Sequence, residues 1–214
     1  MANSGLKISK GEKIKLSKYI SYKEEAYIAI TWNTKRYKGE RDFDLDLSFV
    51  CLDENGVCQD DKYFVWFKHK VAPLGAITHS GDNRVGVSDN SDAETGKIVL
   101  SKLPSWVKSV AAVVTIFDHE DDQHFGLVDN AAIRIMDSKK EEKLRFPLSE
   151  EAHVAQTVGM IFGQLNRIND EEWEFVAIEE GSQNGLEEYI EYYGMDLLSI
   201  LKKYSPQDVP KEYR

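Results

Sequence analysis

The chain has 214 residues, of which 42% are hydrophobic and 30% are charged, and its formal net charge is −10. This composition is typical of a globular protein and excludes a collagen-like or intrinsically disordered chain. No apolar run reaches the ~18 residues that a membrane-spanning helix needs, and the first residues lack the apolar core of a secretion signal. We therefore expect a cytoplasmic protein with no integral membrane segment.

Most of the negative charge lies in one stretch near the C-terminal end. Residues 170–191 contain nine Asp or Glu and no Lys or Arg, so the rest of the chain is close to neutral. We interpret this stretch as a solvated acidic surface. No cluster of Lys or Arg is interleaved with aromatic residues, which argues against binding to nucleic acid.

Short segments of alternating polarity, separated by Gly, Asn and Asp, follow one another along most of the chain. In chain order the predicted strands are residues 13–16, 27–32, 42–49, 62–67, 98–100, 110–117, 131–136, 143–146, 158–165 and 173–178. Asn55-Gly56 predicts a hairpin turn, because glycine adopts positive φ without penalty. The strand 110–117 is nearly all apolar and is predicted to be covered on both faces. The pattern favours a mainly β fold, a β-sandwich of two mostly antiparallel sheets.

Helices are predicted only near the C-terminal end. Residues 184–193 place their apolar side chains on one helix face, with Asn184 as the predicted N-cap. A second short helix is predicted over 195–204. We divide the chain into a single sandwich domain, residues 1–195, and a C-terminal helical extension, residues 196–214.

Three aspartates alternate with apolar residues on the third predicted strand: Asp42, Asp44 and Asp46. The period of two puts all three on one face, with successive carboxylates about 7 Å apart, and the apolar side chains on the other. Like charges this close repel one another, which favours a bound cation. A polar face open to solvent needs no ligand and is the alternative.

A second acidic cluster lies in the segment 79–94, whose acids are Asp82, Asp89, Asp92 and Glu94. The segment is rich in oxygen donors, which suit Ca²⁺ because this ion takes roughly six to eight oxygens in irregular geometry. It does not match the EF-hand pattern. An exposed acidic loop without a ligand is the alternative.

Residues 118–124 contain two histidines and four acids, and could hold a transition metal or support acid–base chemistry. The spacing matches no metal-binding motif, and the segment is more typical of a polar turn. His69, His79 and His153 are isolated and are interpreted as surface or packing residues. No sequence signature of the common hydrolase, nucleotide-binding or kinase classes occurs.

Several segments, in this order along the chain, resemble the TerD family of tellurium-resistance and stress proteins: residues 42–48, 75–83, 113–116, 125–135, 162–167 and 173–178. The resemblance covers roughly residues 6–195. It implies a β-sandwich that binds calcium through the strand aspartates and the Gly81-Asp82-Asn83 loop, and it implies no established enzyme activity.

On this resemblance we predict a non-enzymatic, calcium-binding stress-response protein whose two acidic clusters converge at one end of the sandwich. Other tellurium-resistance or stress proteins are the expected partners. Two alternatives stay open: a calcium-dependent binding module for an acidic partner or a membrane surface, and a metal-dependent hydrolase. The predicted Ca²⁺ ligands are Asp42, Asp44, Asp46, Gly81, Asp82, Asn83, Asp89, Asp92 and Glu94.

Overall fold

The computed structural model describes residues 5–33, 44–81, 94–117, 123–148 and 152–213. Within these ranges the chain forms two six-stranded sheets and short helices. The predicted fold class, a mainly β protein with two mostly antiparallel sheets and short C-terminal helices, is confirmed.

The first sheet begins and ends with very short edge strands. Its pairs are antiparallel except that β1 runs parallel to β10. From edge to edge it contains β1 (Leu6–Lys7), β10 (Glu142–Pro147), β9 (Asp129–Met136), β3 (Glu25–Asn33), β7 (Glu94–Val99) and β6 (Ile77–His79).

The second sheet is antiparallel throughout its described pairs. It contains the strand that carries the predicted aspartates, next to one edge. From edge to edge it contains β2 (Lys13–Lys15), β12 (Trp173–Ser182), β11 (Gly159–Arg167), β8 (Ser109–Ile116), β4 (Leu45–Leu52) and β5 (Phe64–Val65).

The helices of the described ranges are α1 (Ala152–Ala155), α2 (Leu186–Tyr192) and α3 (Leu197–Tyr204). The N-cap of α2 is Gly185 rather than the predicted Asn184, whose amide instead donates to Glu188 Oε2 at 2.9 Å. The carboxylate of Asp196 caps α3 by accepting the Ser199 N–H at 2.7 Å. None of the helices described is both long enough and apolar enough to cross a membrane.

The main core lies between the two sheets, and β4 shows how the sequence builds it. Alternate residues of this strand, Leu45, Leu47, Phe49 and Cys51, point into the core and are fully buried. A buried side chain of this size stabilises the fold by roughly 1.5–3 kcal/mol relative to an exposed one. The alternation read from the sequence therefore fixes which face of β4 meets the first sheet.

The C-terminal helices cover the outer face of the second sheet. Val50 of β4 and Val113 of β8 belong to a second buried cluster that includes Tyr189, Ile190 and Ile200 of α2 and α3. Strand β8 is therefore buried on both faces, as its nearly uniform apolar sequence predicts. The helices add a third layer to the sandwich at this point.

Candidate metal centre

Asp44 lies directly before the first residue of β4. Its carbonyl oxygen accepts the Phe117 N–H at 2.8 Å, which continues the hydrogen-bonding of β4 with β8 by one residue. The residue is half-buried, and its carboxylate oxygen Oδ1 is shielded from solvent. The sheet thus holds one oxygen donor of the predicted set at a defined position at the end of the sandwich.

Asp46 points to the outer face of the second sheet and is only 3% exposed. It lines a cavity of about 470 Å³ whose wall also includes Lys68, Glu187 and Asp208. Residues from the C-terminal part of the chain therefore cover the polar face of β4 at Asp46. The alternative of a strand face open to solvent does not hold at this residue.

Glu94 begins β7 and reaches β4 from the opposite, inner side. Its Oε2 accepts the Leu47 N–H at 2.7 Å and lies 3.4 Å from His79 Nε2, and both side chains are fully buried. A buried carboxylate needs such partners, because an uncompensated charge in the core is strongly unfavourable. Glu94 and Asp46 consequently lie on opposite sides of β4.

The imidazole of His79 joins the beginning of β4 to the end of β6. Its Nδ1 lies 2.9 Å from the Gly81 N–H, and its Nε2 lies 2.8 Å from the Leu47 carbonyl oxygen. Because a backbone N–H can only donate, Nδ1 accepts and Nε2–H donates to Leu47. One ring therefore connects the residue after Asp46 with the residue before Asp82. We call this arrangement the His79 bridge.

Gly81 is where the chain leaves β6 for the second acidic cluster. Its φ of 109° is a conformation that side chains with a Cβ rarely adopt. A Cβ built there would also lie 3.0 Å from the ammonium nitrogen of Lys70. The positive φ therefore favours glycine at this position, directly before Asp82.

Four of the nine predicted ligands fall in the described ranges: Asp44, Asp46, Gly81 and Glu94. In these ranges no three His, Cys, Asp or Glu side chains gather as a metal-binding group. The predicted ligands outside the described residues are Asp42, Asp82, Asn83, Asp89 and Asp92.

Sequence reasoning missed the role of His79, which it interpreted as an isolated surface or packing residue. The residue is buried, so the packing interpretation holds, but its two ring nitrogens also join two strands. The position of His79, two residues before Gly81, is the sequence signal that could have indicated this role. In the segment considered for hydrolase chemistry, residues 118–122 lie outside the described ranges.

Comparison with known proteins assigns the chain to a family. Residues 5–193 match the TerD domain family model. The chain belongs to the TerD family. The predicted resemblance is confirmed, and the match ends just before α3.

Curated relatives within the TerD family span nearly the whole domain. The chain is 34% identical over 194 residues to general stress protein 16U of Bacillus subtilis, covering 90% of this chain and 98% of the relative. It is 36% identical over 191 residues to tellurium resistance protein TerD of Serratia marcescens, with coverage of 88% and 97%. The family is thus one of tellurium-resistance and stress-response proteins.

A solved structure shares the TerD fold. The crystal structure of a homologue of telluride resistance protein TerD from Streptomyces coelicolor matches with a TM-score of 0.60 at 19% identity. The match covers 81% of this chain and 99% of that chain. It supports the sandwich architecture described above.

Proposed function

We propose that this TerD-family chain is a non-enzymatic, cytoplasmic stress-response protein that binds calcium where its two acidic segments meet. The observation that carries the proposal is the His79 bridge. It ties the backbone of β4, one residue after Asp46, to the backbone of Gly81, one residue before Asp82. The described ends of the two acidic segments, at Leu47 and Gly81, are thereby held at neighbouring points of the fold.

The donor chemistry fits calcium. The acidic segments offer carboxylate and amide oxygens from Asp42, Asp44, Asp46, Asp82 and Asn83, with Asp89 and Asp92 further along the second segment. Hard oxygen donors of this kind suit a large ion with irregular coordination better than Mg²⁺, which demands octahedral geometry and keeps its waters. Glu94 is expected to contribute less, because its Oε2 already accepts the Leu47 N–H.

The proposal is tested by isothermal titration calorimetry with calcium, and with magnesium as the competing ion. We expect calcium to bind more tightly than magnesium, and Asp44→Asn to lower calcium affinity at least about tenfold, near 1.4 kcal/mol. Glu54→Gln is the matched control, because Glu54 is an exposed carboxylate just beyond the other end of β4. Absence of calcium binding, or equal effects of the two substitutions, would overturn the proposal.

A second candidate function is a calcium-dependent binding module for an acidic partner or membrane surface. The hairpin that residues 70–72 form with β6 favours it, because Leu74 at its tip is 80% exposed and Val71 is 50% exposed. Leu74 also adopts a φ of 58°, an unusual conformation for a bulky side chain. Lys70, at the base of the hairpin, supplies a positive charge beside Gly81.

Sedimentation with vesicles that contain phosphatidylserine, in calcium or in chelator, tests the second candidate. Leu74→Asn is the informative variant, because Asn tolerates positive φ and the fold is expected to be kept or stabilised. Calcium-dependent sedimentation that Leu74→Asn removes would support the module. No sedimentation in calcium, or sedimentation unaffected by Leu74→Asn, would leave only the first proposal.

A further inference from the structure

The C-terminal extension, residues 196–214, lies beyond the family match, and its described part, residues 196–213, packs on the outer face of the second sheet. Its helix α3 buries Ile200, and the turn that follows it buries Val209, which are 1% and 3% exposed. The extension is therefore an ordered part of the fold that the TerD domain match does not include.

Two lysines tie the extension to the segment around β5. Lys203 forms an ion pair with Asp61, whose Oδ1 also accepts the Tyr204 hydroxyl at 3.2 Å. Lys68 donates to Ser205 Oγ at 2.8 Å and forms an ion pair with Asp208. The first contact involves a lysine of the extension, and the second a lysine of the sandwich.

Lys68 also faces one of the predicted calcium ligands. Asp46, Lys68 and Asp208 line the same cavity between the outer face of the second sheet and the extension. Burial lowers the pKa of the Lys68 ammonium, whereas the negative charge of Asp46 acts in the opposite direction. The negative charge of Asp46 therefore favours the protonated form of Lys68 in this partly buried position.

We propose that Lys68 is a tethered cation through which the C-terminal extension regulates calcium binding at the strand aspartates. Ser205 and Asp208 of the extension hold its ammonium beside Asp46, where it repels an incoming calcium ion. A calcium ion at the aspartates opposes the ammonium in turn, and so weakens the hold of Lys68 on the extension. By thermodynamic linkage the two effects have the same coupling free energy: docking of the extension weakens calcium binding, and calcium binding weakens docking of the extension to the same extent. This inference rests on the proposed calcium binding.

Calorimetric titration of Lys68→Met with calcium measures how far Lys68 lowers calcium affinity. Removal of one positive charge near a divalent ion is expected to raise calcium affinity by about fivefold or more. Lys203→Met is the matched control, because it also removes one lysine and one ion pair of the extension but leaves Lys68 beside Asp46. We expect the control to stay within about twofold of the original affinity.

Hydrogen–deuterium exchange in α3 measures how far calcium weakens the docking of the extension. Calcium is expected to speed exchange in α3 of the original chain and of Lys203→Met, and to leave Lys68→Met unchanged. In chelator, Asp46→Asn is expected to speed exchange in α3, which tests the electrostatic attraction between Asp46 and Lys68 without any calcium.

The outcomes separate the two proposals. If the original chain binds no calcium, the proposed function and the regulation both fail, whatever α3 does. If calcium binds but Lys68→Met leaves its affinity within twofold or lowers it, the regulation alone is wrong. Exchange in α3 that calcium leaves unchanged or slows would also overturn the regulation.

Discussion

His79→Ala is the substitution that most directly probes the joint between the two acidic segments. It removes the hydrogen-bond partner of the Leu47 carbonyl group and that of the Gly81 N–H, both of which are buried. Each buried polar group left without a partner costs about 1–3 kcal/mol. We therefore expect the free energy of unfolding to fall by about 4 kcal/mol. For a chain of this size that is a fall of roughly 10 °C in melting temperature.

Calorimetric melting in chelator measures this loss, with His69→Ala as the control. His69 is a half-buried histidine whose Nδ1 lies 2.8 Å from the Phe64 carbonyl oxygen, and it joins no acidic segment. Its replacement is expected to cost less than half as much. If His79→Ala lowers the melting temperature by less than about 2 °C, or by no more than His69→Ala, the His79 bridge does not hold the strands together.

Two further predictions concern the core. Gly96→Ala is expected to lower the melting temperature by roughly 6–12 °C, because its Cβ would lie 2.0 Å from the ring of the buried Phe49. Thr95→Ser in the same strand should change it little, and equal melting of the two variants would refute the packing. Burial raises the pKa of the Cys51 thiol well above its usual range and that of Cys58 to about 12. Ellman's reagent at pH 8 should therefore modify both thiols only as fast as the chain unfolds, and rapid reaction of the native protein would contradict their burial.

The sequence predicted the long strands well because they show sustained alternation or a continuous apolar run. The predicted segments 110–117, 158–165 and 173–178 correspond to β8, β11 and β12 with shifts of a few residues at their ends. Strands β1 and β6 were not predicted, because two or three residues are too few to show a period of two. Long-range pairing rather than local pattern defines these short edge strands.

The predicted strand 62–67 is shortened for a local reason. The Asn55-Gly56 turn forms, with Gly56 at a φ of 76°, but the strand that returns beside β4 is only Phe64–Val65. The side chain of Asp60 accepts the Lys62 N–H and starts a 3₁₀ turn over Asp61–Tyr63. An aspartate that bonds to the backbone two residues on competes with strand formation.

The covering of Asp46 could not be predicted from the sequence. Alternation along β4 separates two faces of the strand, but it does not show what packs on either face. The cover comes from residues far along the chain, including Asp208 and Glu187. Glu187, in the stretch interpreted as a solvated acidic surface, is exposed, and it also lines the cavity beside Asp46.

The convergence of strand and loop at one calcium ion is tested most directly by a double-mutant cycle. Calcium affinity is measured for the original chain, Asp44→Asn, Asp82→Asn and the variant that carries both substitutions. If the two carboxylates hold the same ion, the double variant should lose at least about 1 kcal/mol less binding free energy than the sum of the single losses. Losses that add to within about 0.5 kcal/mol would place Asp44 and Asp82 at independent sites and contradict the account.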